Sequence, residues 1–502
     1  MVYRYLPACQ ARIVSGDSPQ ERGRKMDYDK DLMARQEART LCRQAEKAQR
    51  LLSKMPQEKL DAIVEAVAKA FSGAAAELAE LAVRETGFGN VEDKVTKNRF
   101  ASEKVAKRLR DMKCVGVLKD SPGEKLWEVG VPVGVIAGIV PSTNPTSTVC
   151  YKALIALKSG NAIVFSPHPK AIGCTLRAAQ IVAAAAEQAG APAGCVGCLS
   201  IPAMAGCQEL MSAPEVKLIL ATGGPGMVKA AYSSGKPAIG VGAGNGPAYI
   251  HRSADVAKAI ACIRRSKTFD NGTVCASEQS IVVEKGMEAA VRAEAKRQGF
   301  YFMTAEEAGA LGNRLFKPSG GLSPDVVGKS ATYLAKLAGF SVPADTKVLV
   351  ADENGVGRDR PYSMEKLCPV LAFYVMESED AVLARTVEIL HHEGSGHTFV
   401  IHGEDREVVR KFAENVPVSR FLVNTPAALG GIGTTTQLFP ALTLGCGAVG
   451  GSSSSNNISP MDLINIRRVA WDTGEMEENG AVSVDSALVD LLTERILAKL
   501  EK

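Results

Sequence analysis

Residues 129–222 alternate short apolar strands with helical stretches, and this alternation limits the folds open to the chain. The strand-like runs are VGVPVGVIAGIVP (129–141), NAIVFSP (161–167), VGCLSI (196–201) and VKLILAT (216–222). Helical patterns separate them at 148–157, 171–189 and 208–212. Strands alternating with helices of this length predict βαβ units and a parallel sheet. We therefore predict a doubly wound, Rossmann-type nucleotide-binding domain whose ligand lies at the carboxyl ends of the strands.

A second alternating stretch runs from 247 to about 439. The predicted strands there are AYIHR (248–252), SIVVE (280–284), KVLVAD (347–352), LAFYVM (371–376), HTFVIHG (397–403) and RFLVN (420–424). No internal repeat of short period accompanies them. The chain is therefore predicted to be an α/β protein with one domain over 26–241 and a second over 242–440, before a return to the first domain over 441–471.

The two ends of the chain differ from these domains. Residues 1–25 mix Pro, Gly, Ser and Arg without periodicity, which predicts a disordered extension, and Met26 is a candidate for the true start. The pattern from 27 to 81 is largely helical. After the strand LINIRRVAW (463–471), a polar linker is predicted over 472–481 and an amphipathic helix over 482–502.

Composition excludes several classes of protein. The 502 residues are 46% hydrophobic and carry a net charge of only +4, so the charge does not favour binding to nucleic acid or to an anionic membrane. The sequence contains neither an apolar run long enough to span a membrane nor a secretory leader. Twelve cysteines in such a chain favour reduced thiols and a cytosolic location. Cys195 and Cys198 have CxxC spacing without a second ligand pair, so we predict a buried structural pair and no metal site.

Cys275 is the strongest candidate for a reactive residue. It follows a glycine-containing turn in the segment TFDNGTVCASEQS (268–280), and Gly272 leaves room for a substrate to approach. A catalytic thiol needs a lowered pKa or a neighbouring base. On spacing alone, a buried structural cysteine is as well supported as a nucleophile.

The segment around Cys275 resembles the nucleophile segment of the aldehyde dehydrogenase superfamily, in its CoA-acylating branch. Three further segments are similar to that family in the expected order: GIVPSTNPTSTVCYKALIALKSGNAIVFSPHPKA (138–171), LILATGGPGMVKAA (218–231) and EKLCPVLAFYV (365–375). The resemblance extends from about residue 30 to about residue 471. It implies an NAD- and CoA-binding domain over 26–241, a catalytic domain over 242–440, and a small β subdomain for oligomerisation that includes 123–134 and LINIRRVAW.

The resemblance also implies roles for individual residues. Cys275 forms a thioester, and the amide of Asn144, with the backbone N–H of Cys275, stabilises the oxyanion. The residues that it assigns to cofactor binding are Pro141, Ser142, Thr143, Ser166, Pro167, His168, Thr222, Gly223, Gly224, Gly242, Ala243 and Glu365. Among these, Glu365 matches the glutamate that holds the nicotinamide ribose. The cofactors implied are NAD and coenzyme A.

Two departures from the hydrolytic members favour the acylating reaction. Hydrolytic members have a glutamate that activates water, and Gly242 stands at that place in IGVGAGNGPAYI (239–250). Without this base, attack by water is slower by about 10²–10⁴-fold, and a thiol can compete. Ser166 and Pro169 replace a lysine and an acid that grip the adenosine ribose, which fits NAD and CoA binding in turn. His397 also matches the acylating group, and this match implies a base for the CoA thiol or a residue that organises the acyl pocket. The alternative is a histidine at the start of a strand whose hydrogen bonds are satisfied within the fold.

The C-terminal helix has two interpretations. It packs on its own domain, or it docks into another protein as the encapsulation peptides of bacterial microcompartments do, which it loosely resembles. The second implies a shell-protein partner and a volatile substrate such as propionaldehyde or acetaldehyde. The family further implies a homodimer or a dimer of dimers. The rival functions are a hydrolytic aldehyde dehydrogenase, a reductase of acyl phosphates, and a non-catalytic scaffold.

Overall fold

The computed structural model describes residues 29–318, 320–473 and 486–500. The predicted extension over 1–25, Met26 and most of the predicted linker lie outside these residues. The strands are β1 Gly116–Ser121, β2 Leu126–Pro132, β3 Val135–Ile139, β4 Ala162–Ser166, β5 Val196–Cys198, β6 Val216–Thr222, β7 Ala238–Val241, β8 Gly246–Ile250, β9 Glu278–Glu284, β10 Phe300–Phe302, β11 Val348–Asp352, β12 Val370–Met376, β13 Gly396–His402, β14 Val418–Val423 and β15 Ile464–Ala470. They form three sheets.

Helices cover both faces of the two larger sheets. They are α1 Lys30–Leu52, α2 Gln57–Gly73, α3 Ala75–Thr86, α4 Val91–Arg99, α5 Val105–Leu109, α6 Pro145–Lys158, α7 Ile172–Gln188, α8 Met204–Ser212, α9 Pro225–Tyr232, α10 Val256–Thr268, α11 Glu288–Arg297, α12 Ala305–Leu315, α13 Ala331–Ala338, α14 Glu379–His392, α15 Arg406–Asn415, α16 Ala427–Gly431 and α17 Ser486–Leu500. None of the described helices is long and apolar enough to cross a membrane.

The first sheet is parallel, in the order β5-β4-β3-β6-β7. Every residue of β3 and β4 is buried, as expected for parallel strands with helices on both faces. The chain order reverses beside β3, because β4 lies on one side of it and β6 on the other. Such a switch point opens a crevice at the carboxyl ends of the strands. The predicted Rossmann-type fold is confirmed.

The second sheet has seven parallel strands in the order β10-β11-β12-β9-β8-β13-β14. All six strands predicted between 247 and 439 are present in it, and β10 is the one that the sequence patterns missed. Strand β7 is the last strand of the first sheet in chain order, and β8, which belongs to the second sheet, begins only five residues after β7 ends. The segment between them therefore crosses from one sheet to the other.

The single strand predicted over 129–141 is wrong, because two strands of different sheets share this segment. Strand β2 ends at Pro132 in the antiparallel sheet β1-β2-β15, whereas β3 begins at Val135 in the parallel sheet. Gly134 lies between them with φ +128°, a conformation that L side chains rarely adopt. Its N–H donates to Asn161 Oδ1 at 2.8 Å, which fixes the turn. A run of β-branched residues did not reveal the turn inside it.

Both cysteines of the CxxC pair are free thiols, Cys195 buried and Cys198 partly exposed. Helix α17 is exposed at every residue. In the structure, this helix therefore does not pack on its own domain, contrary to the first interpretation. The described residues contain no group of three or more His, Cys, Asp or Glu that could hold a metal ion.

Candidate active site

A cavity of about 460 Å³ lies where the loops after β3 and β6 meet the segment around Cys275. Parallel strands bring these loops to one edge of the sheet, and the crossing segment after β7 adds its own residues. Twelve residues predicted for the site line the cavity: Pro141, Ser142, Thr143, Asn144, His168, Thr222, Gly223, Gly224, Gly242, Ala243, Cys275 and Glu365. The structure thus brings together residues that are far apart in sequence.

Three predicted site residues do not line this cavity as the structure describes it. Ser166 is the buried last residue of β4, and Pro167 follows it. His397 lies fully buried in β13. None of the three residues reaches the cavity wall, so their roles in the functional site remain predictions.

The Cys275 side chain lies at the cavity wall, between a turn at Phe269–Gly272 and strand β9. Burial, and next the neighbouring carboxylate of Glu365, raise the pKa of this thiol to about 12. In the protein as described, Cys275 is therefore a thiol at neutral pH. A catalytic thiolate requires a positive charge or a base to approach it.

Asn144 stands at the N-cap of α6, a helix that is buried along its whole length. Its Nδ2 lies 3.2 Å from Thr143 Oγ1 and 3.4 Å from the carbonyl oxygen of Thr273. Both bonds are long, so the amide N–H groups are available to a stronger acceptor. A developing oxyanion at the cavity wall would be such an acceptor.

The glycines of the site leave open space where side chains would stand. A Cβ atom at Gly224 or Gly242 would meet no described atom within 4 Å. Gly224 is the N-cap of α9, and Pro225 occupies the first turn of that helix. Backbone approach of a phosphate group to this helix start is sterically free. The residues present therefore fit a dinucleotide that extends along this wall.

Glu365 is fixed by the crossing segment rather than by a basic partner. Its Oε1 accepts the N–H of Gly244 at 2.9 Å, and its own N–H donates to Glu393 Oε2 at 2.6 Å. Burial, and next the charge of Glu393, raise the pKa of Glu365 to about 8. The side chain is therefore largely protonated at neutral pH and can donate to a ribose hydroxyl as well as accept from it.

His397 lies behind the cavity. Its Nδ1 is 2.9 Å from Thr398 Oγ1, and its Nε2 has no hydrogen-bond partner among the described residues. Burial, and next the charge of Arg420, hold the pKa of His397 well below 6.5. The ring is therefore neutral at physiological pH. A Cβ atom at Gly244 would lie 3.2 Å from Cε1 of His397 and would overlap the carbonyl oxygen of Cys275, so both groups lie close to Gly244.

Several residues of the cavity wall were not among the predicted site residues. They are Phe88, Lys97, Thr148, Lys170, Pro225, Val241, Thr273, Val274, Lys317, Leu322, Pro324, Val327, Leu367, Ile432, Leu442 and Leu444. Most come from elements that are distant in sequence from the motifs. Among these, Lys97 lies inside a helical pattern, where a lysine is usually a surface residue. The other residues lie inside the segments that resemble the family: Thr148, Lys170, Pro225, Val241, Thr273, Val274 and Leu367.

The aldehyde dehydrogenase family matches residues 28–299, a segment that contains both Asn144 and Cys275. The chain belongs to the aldehyde dehydrogenase family. It is 45% identical over 439 residues to the bifunctional aldehyde-alcohol dehydrogenase AdhE of Escherichia coli K12, covering 86% of this chain and 49% of that protein. The chain thus spans about half the length of the first curated relatives it matches. It is also 35% identical to an acetylating succinate-semialdehyde dehydrogenase of Clostridium kluyveri, covering 86% of this chain and 95% of that protein.

Solved structures agree with this family. An acetylating aldehyde dehydrogenase from Geobacillus thermoglucosidasius is 49% identical with a TM-score of 0.88, covering 89% of this chain and 99% of that one. A propionaldehyde dehydrogenase from the fucose utilisation microcompartment of Clostridium phytofermentans is 29% identical with a TM-score of 0.79, covering 87% and 97%. A propionaldehyde dehydrogenase from Rhodopseudomonas palustris, with bound CoA and an acylated cysteine, is 27% identical with a TM-score of 0.78, covering 86% and 97%. The resemblance to the acylating branch is confirmed.

Proposed function

We propose that this protein oxidises a short-chain aldehyde, propionaldehyde or acetaldehyde, with NAD and transfers the acyl group to CoA through a thioester on Cys275. One observation carries the choice of acceptor. Position 242, where hydrolytic members have a glutamate, is a glycine with open space around it at the cavity wall. An acylated Cys275 then has no carboxylate at that place to activate water.

The residues of the chain would act in two stages. In the first, the Cys275 thiol gives its proton to solvent water, the thiolate adds to the aldehyde carbon, and Asn144 Nδ2 with the Cys275 N–H hold the resulting oxyanion. Bound NAD supplies the acceptor for the hydride that leaves this carbon, so the aldehyde is oxidised by two electrons. The thioester remains on Cys275. In the second stage, the CoA thiol gives its proton to solvent water and attacks the acyl carbon, the same donors hold the oxyanion again, and Cys275 leaves as a thiolate.

Thr222, Gly223 and Gly224 would hold the cofactor near the start of α9, and Glu365 would bind the nicotinamide ribose. Pro141, Ser142 and Thr143 would line the path to Asn144. Ser166, Pro167 and His168 would border the adenosine end, which NAD and CoA would occupy in turn. His397 would organise the acyl pocket from behind Gly244.

The test is NADH formation from propionaldehyde and NAD, with and without CoA, with the acyl product identified. We expect strong dependence on CoA and propionyl-CoA as the product. Equal rates without CoA and release of propionate would contradict the proposal in favour of a hydrolytic enzyme. Turnover that requires inorganic phosphate rather than CoA would identify a reductase of acyl phosphates. Cys275→Ser is the control, and a scaffold without catalysis would show no turnover with either protein.

The C-terminal helix supports a second part of the proposal, that the protein is enclosed in a bacterial microcompartment in the cytoplasm. Six apolar side chains of α17 are at least half exposed: Leu488, Leu491, Leu492, Ile496, Leu497 and Leu500. A short helix with an unpartnered apolar face suits docking into a groove of a shell protein. A fluorescent protein fused to residues 482–502 should enter shells, and the same fusion with Leu492→Glu and Ile496→Glu should not. Diffuse fluorescence from the unaltered fusion beside intact shells would contradict the proposal.

The β1-β2-β15 sheet supports an oligomer. Strand β15 is an edge strand; Ile466 on it and Trp471 directly after it are 40% and 47% exposed. An exposed apolar edge is stable when another strand pairs with it. We propose a homodimer or a dimer of dimers that extends this sheet, and a monomer in light scattering would contradict it.

A further inference from the structure

Helix α4 carries two buried lysines that share one carboxylate from the nucleophile segment. Lys94 Nζ lies 2.9 Å from Asp270 Oδ2, and Lys97 Nζ lies 2.5 Å from the same oxygen. All three side chains are at most 3% exposed. Buried charges are costly unless they are paired and hydrogen-bonded, so a site that retains three of them calls for an explanation.

Asp270 is fixed from several sides. Its Oδ1 accepts the N–H of Asn90 at 2.9 Å, and its own N–H donates to Asp93 Oδ2 at 2.7 Å. The hydroxyl of Thr273 donates to its Oδ2 at 2.6 Å. Burial alone would raise the pKa of Asp270, but the charges of Lys97 and Lys94 lower it below 3.8. The carboxylate is therefore charged, and it ties helix α4 to the turn that precedes Cys275.

The cluster of Lys94, Lys97 and Asp270 reaches the amide of Asn144. Lys97 Nζ donates to Asn144 Oδ1 at 2.5 Å, and Lys94 Nζ donates to the carbonyl oxygen of Thr143 at 2.9 Å. Lys97 also lies at the cavity wall. One ammonium group thus contacts both the aspartate of the nucleophile segment and the residue expected to bind the oxyanion.

This contact selects one of the two orientations of the amide. An ammonium group has three donors and no acceptor, so only the oxygen of Asn144 can face it. With Oδ1 turned toward Lys97, Nδ2 points to the other side, where it makes its two long bonds. A flipped amide would present Oδ1 to a substrate oxyanion and repel it. The bond to the cation also polarises the amide, which strengthens Nδ2 as a donor.

We propose that Lys97 is a positioning residue that holds the Asn144 amide in the orientation that stabilises the oxyanion, with Asp270 keeping the lysine in place. The inference deepens the proposed function, because it rests on Asn144 acting on the oxyanion. Its test uses the first stage alone, in which Cys275 is acylated, and so the result does not depend on whether CoA, water or phosphate accepts the acyl group.

The test is a double-mutant cycle on the burst of NADH in the absence of CoA. Loss of an oxyanion donor in Asn144→Ala should slow the burst about 10²–10³-fold. Lys97→Met should slow it about 10- to 100-fold, with the NAD concentration that gives half the maximal burst rate unchanged, since Thr222, Gly224 and Glu365 are unaltered. In the Asn144→Ala background, Lys97→Met should cost less than about 3-fold, because its effect passes through the amide.

Lys158 provides the control. It is another buried lysine, at the far end of the helix that Asn144 caps, and it pairs with Asp61 Oδ1 at 2.5 Å, outside the cavity wall. Any loss from Lys158→Met should be the same with and without Asn144. If the losses from Lys97→Met and Asn144→Ala multiply in full, Lys97 has only a structural role and the inference is wrong.

Folding is checked by circular dichroism and thermal unfolding. If Lys97→Met does not fold, Lys97→Gln replaces it in the same cycle, with the same two outcomes. The acceptor is determined separately, from the product formed with and without CoA. A hydrolytic product would thus overturn the proposed function and leave the cycle on Lys97 valid.

Discussion

The backbone of Gly244 lies against the carbonyl group of Cys275, so closely that a Cβ atom at position 244 would overlap the carbonyl oxygen. The same Cβ atom would lie 3.2 Å from Cε1 of His397. The crossing segment and the nucleophile segment therefore approach each other closely through the backbone of Gly244 and Cys275. The position of Cys275 depends on the absence of a side chain at 244.

We predict that Gly244→Ala displaces the Cys275 backbone and reduces the acylation rate by at least about 10²-fold, as small misplacements of reacting groups do. Overlap with backbone should also destabilise the protein by about 1–3 kcal/mol. Thermal unfolding and the NADH burst measure the two effects. Gly242→Ala is the control for stability, since its Cβ would have no described neighbour within 4 Å. Equal melting temperatures for both variants would contradict the prediction.

The open space at Gly242 predicts a change of acceptor. In Gly242→Glu, the Cβ atom would meet no described atom within 4 Å, and the carboxylate would extend from the cavity wall to activate water beside the acylated Cys275. We expect aldehyde oxidation without CoA to rise about 10-fold or more, with the free acid as product. Gly242→Gln has nearly the same volume and no base, so it should not accelerate hydrolysis. Equal acid release from the two variants would show that the carboxylate does not act as the base.

The sequence patterns predicted local elements and motifs, and they missed contacts between residues that are far apart in the sequence. The parallel strands, the glycine turn at Gly224 and the motifs around Asn144 and Cys275 could be predicted, because each depends on a continuous run of residues. Lys97 could not, since its partner Asp270 is 173 residues away and no period connects them. The turn at Gly134 was hidden inside a run of strand-forming residues. The burial of His397 depends on neighbours of β13 that a single strand pattern does not specify.

Glu278, three residues after Cys275, gives a prediction about stability and pH. Its Oε1 accepts the N–H of Ala427 at 2.9 Å, and its Oε2 has no partner among the described residues. Burial raises the pKa of Glu278 to about 7. Because the folded pKa lies above the unfolded value, the stability that the protonated group contributes is present below about pH 4.3 and is lost as the pH rises through 7.

Glu278→Gln does not titrate and should therefore gain stability relative to the unaltered protein as the pH rises from 4.5 to 7.5. The gain is about 3 kcal/mol from the pKa difference. It is measured as the difference in melting temperature between the two proteins at several pH values. Glu306→Gln, an exposed position, is the control and should show a constant difference. A constant difference for Glu278→Gln as well would mean that this carboxyl is already ionised at pH 5.

Because the ring of His397 is neutral and buried, we predict that its ionisation does not affect kcat/KM near neutral pH. Since the pKa of His397 is well below 6.5, its titration should not appear in the pH profile of kcat/KM between pH 6 and 8. We expect the profiles of the unaltered protein and of His397→Gln to have the same shape, although the variant is slower. Loss of an ionisation near 6.5 in the variant alone would show that the ring titrates and reaches the reacting groups.

The raised pKa of Cys275 predicts slow alkylation in the absence of ligands. With a pKa of about 12, the thiolate fraction at pH 8 is about 10⁻⁴, against about 0.2 for a free cysteine. Modification of Cys275 by iodoacetamide, followed by mass spectrometry of its peptide, should therefore be about 10³-fold slower than that of free cysteine at pH 8. The rate should increase about tenfold per pH unit up to pH 10, within the range where circular dichroism shows the protein folded. A plateau between pH 7 and 8 would mean instead that a positive charge or base already activates the thiol without the cofactor.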